Sequence, residues 1–311
     1  MTSYQNIAVL KGGWCAEQEV SLVSGKEAGK AIRAEGFTVE EIDVTRNVMD
    51  DLRAAFGGEG PDAVFNALHG PFGEDGRIQA VLEVLDIPYT HSGVLASALC
   101  MDKPRAKAVL AAAGLPVPSG TTISTDCLQG EHPMAIPYVV KPIGDGSSFG
   151  VNIISSNNQP APCQRDLDEN LFGGVAMVEP FIKGRELTTA VLGDRPLAVT
   201  EIIPHGTFYD FQSKYAAGGS AHVVPADIPD DITQAALAMA KEASLALGVR
   251  GLSRTDFRWD DELGVNGLFI LEVNTQPGLT PTSLAPEQAA AEGMDFGKLV
   301  RWMIEDATCP R

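Results

Sequence analysis

The spacing of apolar positions predicts a parallel α/β unit at the start of the chain. An apolar strand at 6–10 is followed by a glycine pair and by a helix-period stretch from Glu17 to Ala34, which is how doubly wound α/β units begin. The pattern continues with strands at 38–42 and 62–68 and helices near 77–85 and 93–101. Residues 1–101 are therefore expected to form a small parallel-sheet domain.

The pattern changes after residue 101. A helix over 102–113 leads into short apolar strands joined by glycine turns, which are typical of antiparallel sheets. These strands are expected at 138–143, 151–155, 175–182, 184–193 and 196–203, followed by a polar segment at 205–221, a helix at about 231–247 and strands at 252–258 and 267–274. The fold class predicted is α/β followed by an α+β region with two sheets.

The last two strands carry polar residues at alternate positions. Glu272 and Asn274 are two residues apart on an otherwise apolar strand, and so are Arg254 and Asp256 on the preceding strand. Side chains two apart share a face, so a hairpin with matched faces would bring Asp256, Glu272 and Asn274 together. Such oxygen donors suit Mg²⁺ completed by phosphate oxygens. The alternative is a hairpin in which Arg254 simply neutralises the acids.

A glycine-rich loop follows Lys141. Its sequence, GDGSSFG over 144–150, could wrap backbone N–H groups around phosphate, or it could be an ordinary turn. It matches neither the P-loop nor the GxGxxG motif. The segment GSSFG does match the GxSxG nucleophile elbow around Ser148, but that elbow needs a following helix, and 151–154 is typical of a strand. A serine hydrolase is therefore the less favoured alternative.

Polar residues in three loops have two interpretations each. Glu17 is either a favourable charge at a helix start or a ligand-binding group. His69 ends a strand at the sheet edge where α/β proteins bind ligands, yet it could be structural. Lys214 and Tyr215 lie in the polar 205–221 segment, which is either solvated surface or a flexible lid.

Composition narrows the classes of function. The 311 residues include 44% hydrophobic and 21% charged residues, as in ordinary globular proteins, and the net charge of −18 argues against sequence-independent nucleic-acid binding. No membrane span or signal-peptide pattern is present, so a cytoplasmic protein is expected. Five cysteines without a CxxC pair, and five histidines without an HExxH motif, indicate neither a disulfide framework nor a zinc site.

Nine sequence blocks in order resemble the D-alanine–D-alanine ligases of the ATP-grasp superfamily. They are AEQEVS, ALHGPFGEDG, PYTHSG, MDKPRAK, VVKPIGDGSSFGV, VEPFIKGRELTTAVL, GTFYDFQSKY, RTDF and LEVNTQPGLTPTSL, and the resemblance extends from about residue 7 to 303. The resemblance implies a Rossmann-like domain over 1–101 followed by a two-lobed ATP-grasp fold. Its central lobe would span 102–188, and its C-terminal lobe 189–311 would include a lid at 205–221.

The resemblance also implies a role for individual residues. The ATP site would use Lys103, Lys141, Ser147, Ser148, Glu179, Phe181, Ile182, Glu186 and Lys214. The metal site, for a pair of Mg²⁺ ions that Mn²⁺ could replace, would use Asp256, Glu272 and Asn274. The first D-alanine would be bound by Glu17 and His69, and the carboxylate of the second by Ser283 and Leu284. Catalytic roles would fall to Glu17, Ser147, Tyr215, Arg254 and Gly278.

The activity implied is ATP-dependent joining of two D-alanine molecules for peptidoglycan synthesis, through an acyl phosphate, by a homodimer. D-alanine–D-lactate and D-alanine–D-serine ligases are alternatives, and the lysine–tyrosine pair at 214–215 favours the dipeptide. A nucleotide-binding sensor that has lost catalysis is another alternative. The chain departs from the family at Trp14 and Cys15, which fill usually small and polar positions, and at Pro180-Phe181 beside the adenine site.

Overall fold

Three sheets organise the chain in a computed structural model that describes residues 4–144, 146, 149–204 and 219–310. The strands are β1 (Asn6–Gly12), β2 (Thr38–Val44), β3 (Ala63–Asn66), β4 (Thr121–Ser124), β5 (Tyr138–Pro142), β6 (Asn152–Ile154), β7 (Val175–Pro180), β8 (Arg185–Leu192), β9 (Arg195–Pro204), β10 (Ser220–Val223), β11 (Leu252–Trp259) and β12 (Leu268–Asn274). The α-helices are α1 (Gln18–Ala34), α2 (Val48–Ala54), α3 (Arg77–Val84), α4 (Val94–Met101), α5 (Lys103–Ala112), α6 (Glu169–Phe172), α7 (Asp230–Leu247), α8 (Leu284–Ala291) and α9 (Phe296–Glu305).

The first sheet is parallel, with strand order β2-β1-β3. Four consecutive residues of β1, from Ile7 to Leu10, are fully buried, because helices cover both faces of a parallel sheet and leave no polar side. One face packs against α1 and the C-terminal helix α9, while the other packs against α2 and α3. The C-terminal end of the chain thus completes the core of the N-terminal domain.

The other two sheets are antiparallel, as the sequence predicts. One has the order β4-β7-β5-β6, and the other has the order β10-β9-β8-β11-β12. Helices α5 and α7 cover the five-stranded sheet. The expected boundary between residues 188 and 189 falls within β8, a strand of the five-stranded sheet; the domain limits stay a prediction.

Most predicted elements are present within a few residues of their expected ends. The expected strand at 62–68 ends at Asn66, and the expected 205–221 segment overlaps β10 from residue 220. No element was predicted over 284–305, where α8 and α9 lie. Helix α9 has buried residues at 299, 300, 303 and 304, a helical period that the sequence does contain, whereas α8 is a short alanine-rich run without a clear apolar stripe.

No helix in the described part of the chain is long and apolar enough to cross a membrane.

Candidate functional site

Strands β11 and β12 form the hairpin that the sequence predicts, with matched faces. Arg254 lies opposite Asn274, and Asp256 lies opposite Glu272. Directly opposite residues in an antiparallel pair share a face, so the four polar side chains lie on the same side of the sheet. A bulge follows, because Phe257 pairs with Ile270 and leaves Leu271 unmatched. Such a bulge re-aims side chains locally.

Two adjoining clefts open onto this face. The hairpin cleft is lined by residues that include Glu17, His69, Lys103, Gly146, Arg254, Glu272, Asn274, Gly278, Ser283 and Leu284. The hinge cleft is lined by residues that include Lys103, Lys141, Gly146, Glu179, Phe181, Ile182, Glu186, Asp256, Leu271 and Glu272. Lys103, Gly146 and Glu272 belong to both walls, so the clefts meet at these three residues.

Cations balance the two carboxylates of the hairpin. The Arg254 guanidinium donates two hydrogen bonds of 2.7 Å to the two oxygens of Asp256, and Thr188 donates a 2.6 Å bond to Oδ1 of Asp256. Nζ of Lys103 lies 3.4 Å from Oε2 of Glu272. This arrangement agrees with the neutralised-hairpin interpretation, so the metal site stays a prediction.

The donor chemistry nevertheless fits a hard divalent cation. Asp256, Glu272 and Asn274 offer oxygen atoms from adjacent strands, the ligand type that Mg²⁺ prefers. Oδ1 of Asn274 also accepts a 3.0 Å bond from the N–H of Gln276, which orients the amide. No group of three or more His, Cys, Asp or Glu residues that could hold a metal occurs among the described residues. The predicted set, with two carboxylates and an amide, would depend on ligand oxygens for completion.

A buried ion-pair cluster lies at the side of the hinge cleft. Glu179 is 3% exposed; its Oε1 lies 2.5 Å from Nζ of Lys141, and its Oε2 contacts Nζ of Lys107. Burial raises the pKa of Glu179, but attraction and hydrogen bonds from both lysines outweigh it and hold the pKa below its usual value. Burial and the nearby Lys141 charge lower the pKa of Lys107 to about 8.

The remaining hinge-cleft wall is apolar with a polar end. This wall is formed by Phe181 together with four aliphatic residues, Val139, Val151, Ile153 and Leu271. At the polar end, Arg258 lies 3.6 Å from Glu186, donates to the carbonyl of Ile182 at 3.0 Å and stacks 5.2 Å from the Phe181 ring centre. A flat apolar ligand with a polar extension would match this slot.

Glycines crowd the carboxylate of Glu17. This residue precedes α1 and is buried. Gly70 has φ +66°, and a Cβ added there would overlap Oε2 of Glu17; a Cβ on Gly146 would lie 3.2 Å from the same oxygen. The GDGSSFG loop therefore reaches Glu17 through Gly146, which leaves little space for a side chain, while the positive φ and close approach of Gly70 require glycine.

His69 is held from both sides of its ring. Nε2 lies 3.0 Å from Oγ of Ser24, and Nδ1 lies 3.2 Å from Oε1 of Glu74. The thiol of Cys15 donates to the His69 carbonyl at 3.1 Å. His69 therefore lines the same cleft as Glu17, with an orientation that its neighbours determine, and its substrate role stays a prediction.

The other end of the hairpin cleft is the start of helix α8. Ser283 precedes the helix and its Oγ accepts a 2.9 Å bond from the N–H of Thr280. A Cβ on Gly278 would lie 2.9 Å from that Oγ, so Gly278 and Ser283 are neighbours. The first backbone N–H groups of a helix lack intrahelical partners and attract anions.

Several site residues were missed by sequence reasoning. Gln276 accepts a 2.8 Å bond from Asn66 and donates to the carbonyl of Leu68, which ties the loop after β12 to the loop that carries His69. Thr188 and Lys107 were missed as well. Thr188 donates a hydrogen bond to Asp256, and Lys107 forms an ion pair with Glu179. For Lys107 a signal was available, since it lies one helical turn from Lys103 on the same face of α5.

Four predicted site residues, Ser147, Ser148, Lys214 and Tyr215, lie outside the described residues. The segment after Ser148 forms a turn at 149–150 and then strand β6. Since a nucleophile elbow requires a helix there, the serine hydrolase interpretation is not supported. Burial also raises the pKa of Cys100, a thiol in the hairpin cleft, to about 12, which makes it a poor nucleophile.

Comparison with known proteins gives consistent matches over the whole chain. Residues 49–92 match the family model described as D-ala D-ala ligase N-terminus, and residues 110–305 match D-ala D-ala ligase C-terminus. The chain is 56% identical over 306 residues to a D-alanine–D-alanine ligase of Ruegeria pomeroyi, covering 98% of this chain and 97% of that protein.

Solved structures show the same fold. The D-alanine–D-alanine ligase of Bacillus anthracis complexed with ATP matches with a TM-score of 0.78 and 27% identity, over 98% of this chain and 97% of that one. The VanG D-Ala:D-Ser ligase of Enterococcus faecalis matches with a TM-score of 0.78 and 27% identity, over 97% and 99%. These matches confirm the predicted ATP-grasp architecture, and the chain belongs to the D-alanine–D-alanine ligase family.

Proposed function

We propose that this protein joins two D-alanine molecules into D-alanyl-D-alanine at the expense of ATP, for peptidoglycan precursor synthesis. The observation that carries the proposal is the junction of the two clefts at Lys103, Gly146 and Glu272. A nucleotide in the hinge cleft would present its terminal phosphate to an amino acid in the hairpin cleft. Family membership over the whole chain supports the same reaction.

The hinge cleft has the groups that a nucleotide needs. Phe181, Ile182 and the apolar wall would enclose the adenine beside Glu179, and Glu186 would accept hydrogen bonds from the ribose hydroxyls. Lys103 and Lys141 would bind the phosphates. Ser147, Ser148 and Lys214 are proposed to complete the phosphate site.

Asp256, Glu272 and Asn274 would hold Mg²⁺ at the junction. A bound divalent cation there neutralises the charge that builds up on transferring phosphate oxygens. Lys103 contacts Glu272 and Arg254 contacts Asp256, so the chain itself supplies positive charge to this region. Phosphoryl transfer depends mainly on such positioning and charge neutralisation.

Activation of the first D-alanine would use the N-terminal side of the hairpin cleft. Glu17 would bind the ammonium group, with His69 beside it, so that the substrate carboxylate points toward the junction. A carboxylate oxygen attacks the γ-phosphorus, the bond to the ADP oxygen breaks, and an acyl phosphate forms. Glu17 and the glycines around it position the substrate for this step.

Peptide bond formation would use the other side of the same cleft. Ser283 and the Leu284 N–H would bind the second carboxylate at the start of α8. The amine attacks the acyl carbon, its proton passes to the departing phosphate, and the C–O bond to phosphate breaks. Arg254 and the Gly278 N–H would receive the oxyanion of the intermediate. Ser147 and Tyr215 are proposed to fasten the lid near Glu17.

The direct test is product identity. We expect ADP release from ATP with D-alanine and Mg²⁺, formation of D-alanyl-D-alanine by mass spectrometry, and no turnover with L-alanine. D-lactate and D-serine added in competition across a pH range test the alternatives. Preferential D-alanyl-D-lactate or D-alanyl-D-serine formation would replace the proposed substrate, and absence of ADP release with D-alanine would favour the sensor alternative.

The metal proposal has its own test. Glu272→Gln should weaken Mg²⁺-dependent turnover far more than folding, because the Glu272 side chain is partly exposed and its ion pair with Lys103 contributes little to stability. Turnover across a Mg²⁺ titration and the thermal midpoint in EDTA measure the two effects. Wild-type turnover combined with a large loss of midpoint in EDTA would contradict the assigned ligand role.

We also propose that the protein acts as a homodimer in the cytoplasm. Light scattering after size exclusion, over a range of protein concentrations, would test the assembly. A monomer at all concentrations with full activity would contradict it.

A further inference from the structure

Two buried lysines share one carboxylate beside the hinge cleft. Lys141 contacts Oε1 of Glu179 and Lys107 contacts Oε2. The three residues are 8%, 5% and 3% exposed in the order Lys141, Lys107, Glu179. One cationic partner would neutralise the carboxylate, so the second lysine leaves the cluster with a net positive charge.

The two lysines differ in what they can reach. Lys141 lines the hinge cleft, whereas Lys107 is not among the described residues that line either cleft. Lys107 lies in a separate depression behind the carboxylate, with Ala111, Val117 and Met177. A ligand in the hinge cleft would contact Lys141 and not Lys107.

We propose that Lys107 is a positioning residue that remains the counter-ion of Glu179 while Lys141 binds the nucleotide phosphates. This inference rests on the proposed function, since it takes ATP as the ligand. If Lys141 alone neutralised Glu179, its movement toward a phosphate would leave a buried carboxylate without a cation, which is strongly unfavourable. With Lys107 on the opposite oxygen, Glu179 stays paired and ionised throughout.

Helix α5 makes this arrangement possible. Lys103 and Lys107 are four residues apart and lie on one helical face. Lys103 reaches Glu272 on the five-stranded sheet, and Lys107 reaches Glu179 on the four-stranded sheet. Helix α5 therefore places Lys103 at the junction of the two clefts and, one helical turn later, places Lys107 against Glu179 at the side of the hinge cleft.

The test compares ligands with and without phosphates. Displacement of a fluorescent ADP analogue at pH 7 gives the Kd of ADP and of adenosine for wild type and Lys107→Met. We expect ADP binding to weaken about tenfold in the variant, because phosphate binding then leaves Glu179 unpaired, and adenosine binding to change less than about twofold. Equal weakening of both ligands, as from general distortion of the cleft, would overturn the proposal.

The charge of Glu179 provides a second measurement. In a Glu179→Gln background the same Lys107→Met change should alter ADP affinity little, because a neutral amide needs no counter-ion. Lys107→Arg should retain most ADP affinity, and Lys241→Met, a partly exposed lysine on α7, serves as the matched control. An equal loss in both backgrounds would contradict the counter-ion role.

The design separates the possible failures. If Lys107→Met does not fold, the double variant that combines Lys107→Met with Glu179→Gln takes its place. Its ADP affinity is compared with that of Glu179→Gln alone, and weaker ADP binding by the double variant would overturn the inference. Wild type that binds ADP but forms no dipeptide would refute the proposed function alone. Dipeptide formation together with wild-type ADP affinity in Lys107→Met would refute this inference alone.

Discussion

The space around the Glu17 carboxylate depends on the absence of Cβ atoms at two neighbouring glycines. Gly70 has a positive φ and no room for a Cβ beside the Glu17 carboxylate, and Gly146 approaches the same oxygen from the glycine loop. A substrate ammonium bound by Glu17 would therefore depend on residues that contribute only backbone. Glycine has no functional side chain, so its residue type does not indicate that it belongs to a site.

Gly70→Ala should raise the KM for D-alanine by about tenfold or more, because the new methyl group displaces a group that positions the substrate. Steady-state kinetics with saturating ATP measures it. Gly36→Ala is the control, since Gly36 has φ +94° and nothing within 4 Å of its Cβ position. Both variants should lose about 1 kcal/mol of stability from backbone strain, and equal KM values in both would contradict the prediction.

Thr188 illustrates the same point for Asp256. Thr188→Val removes the hydroxyl that donates to Oδ1 at nearly constant shape, and should lower Mg²⁺-dependent kcat by about tenfold, as loss of groups that orient metal ligands commonly does. A Mg²⁺ titration of turnover checks this.

The neighbouring Thr189 is the matched control for that change. It is also fully buried, and its Oγ1 has no hydrogen-bond partner within the described residues. Thr189→Val should therefore leave kcat unchanged and stability equal or higher, because an unpaired buried hydroxyl is unfavourable. Similar kinetics for the two valine variants would argue against a role of Thr188 in orienting Asp256.

At the scale of elements, the hairpin cleft is positioned by hydrogen bonds between loops as well as by the strands that carry its residues. Strand β12 brings Glu272 and Asn274 to the clefts, but the loop after it is held by Gln276, whose amide bonds to Asn66 at the end of β3. Both side chains are at most 1% exposed. This contact joins the loop that carries Gly278 to the loop that carries His69.

Gln276→Leu should therefore cost about 1–3 kcal/mol in stability by leaving buried polar groups unpaired. It should also raise the KM for D-alanine while leaving the Kd of ADP near wild type, because the hinge cleft does not depend on this contact. Chemical denaturation and paired ligand measurements would show the difference. Gln164→Leu, at an exposed position, is the control; equal weakening of ADP and D-alanine binding would indicate general distortion instead.

At the scale of the whole molecule, the site belongs to no single domain. Glu17 and His69 come from the parallel-sheet domain, Lys141 and Glu179 from the four-stranded sheet, and Arg254 from the five-stranded sheet. A ligand that contacts all three parts therefore binds the folded chain and not the unfolded chain. The net charge of −18 makes these local cations the main attraction for a nucleotide.

A non-hydrolysable ATP analogue with Mg²⁺ should stabilise the whole chain against unfolding, by about 2.7 kcal/mol at a hundredfold excess over Kd. Thermal unfolding with and without the analogue measures this. EDTA should remove most of the gain if the hairpin holds the cation. An unchanged gain in EDTA would mean that nucleotide binding does not use the proposed metal ligands.

The sequence by itself determined the local features. Periodicity predicts β1, α1 and the antiparallel strands, and the two-residue spacing places Asp256, Glu272 and Asn274 on matched faces, because side-chain direction along a strand follows from backbone geometry. The resemblance of ordered blocks predicted the family. The ligand roles given to individual residues in this way rest on residue types that suit phosphate and metal chemistry, and they stay predictions.

Only the tertiary structure decided the contacts between distant segments. The Lys107–Glu179 pair joins residues 72 apart, and the Asn66–Gln276 pair joins residues 210 apart. Neither pairing has a local signature. The four-residue spacing places Lys107 on the same helical face as Lys103 but does not say what Lys107 contacts, and the burial of lysine and glutamine depends on which sheets pack around them. The supporting contacts of this site were therefore decided by packing, whereas the sequence alone could predict only which side chains have the chemistry to face a ligand.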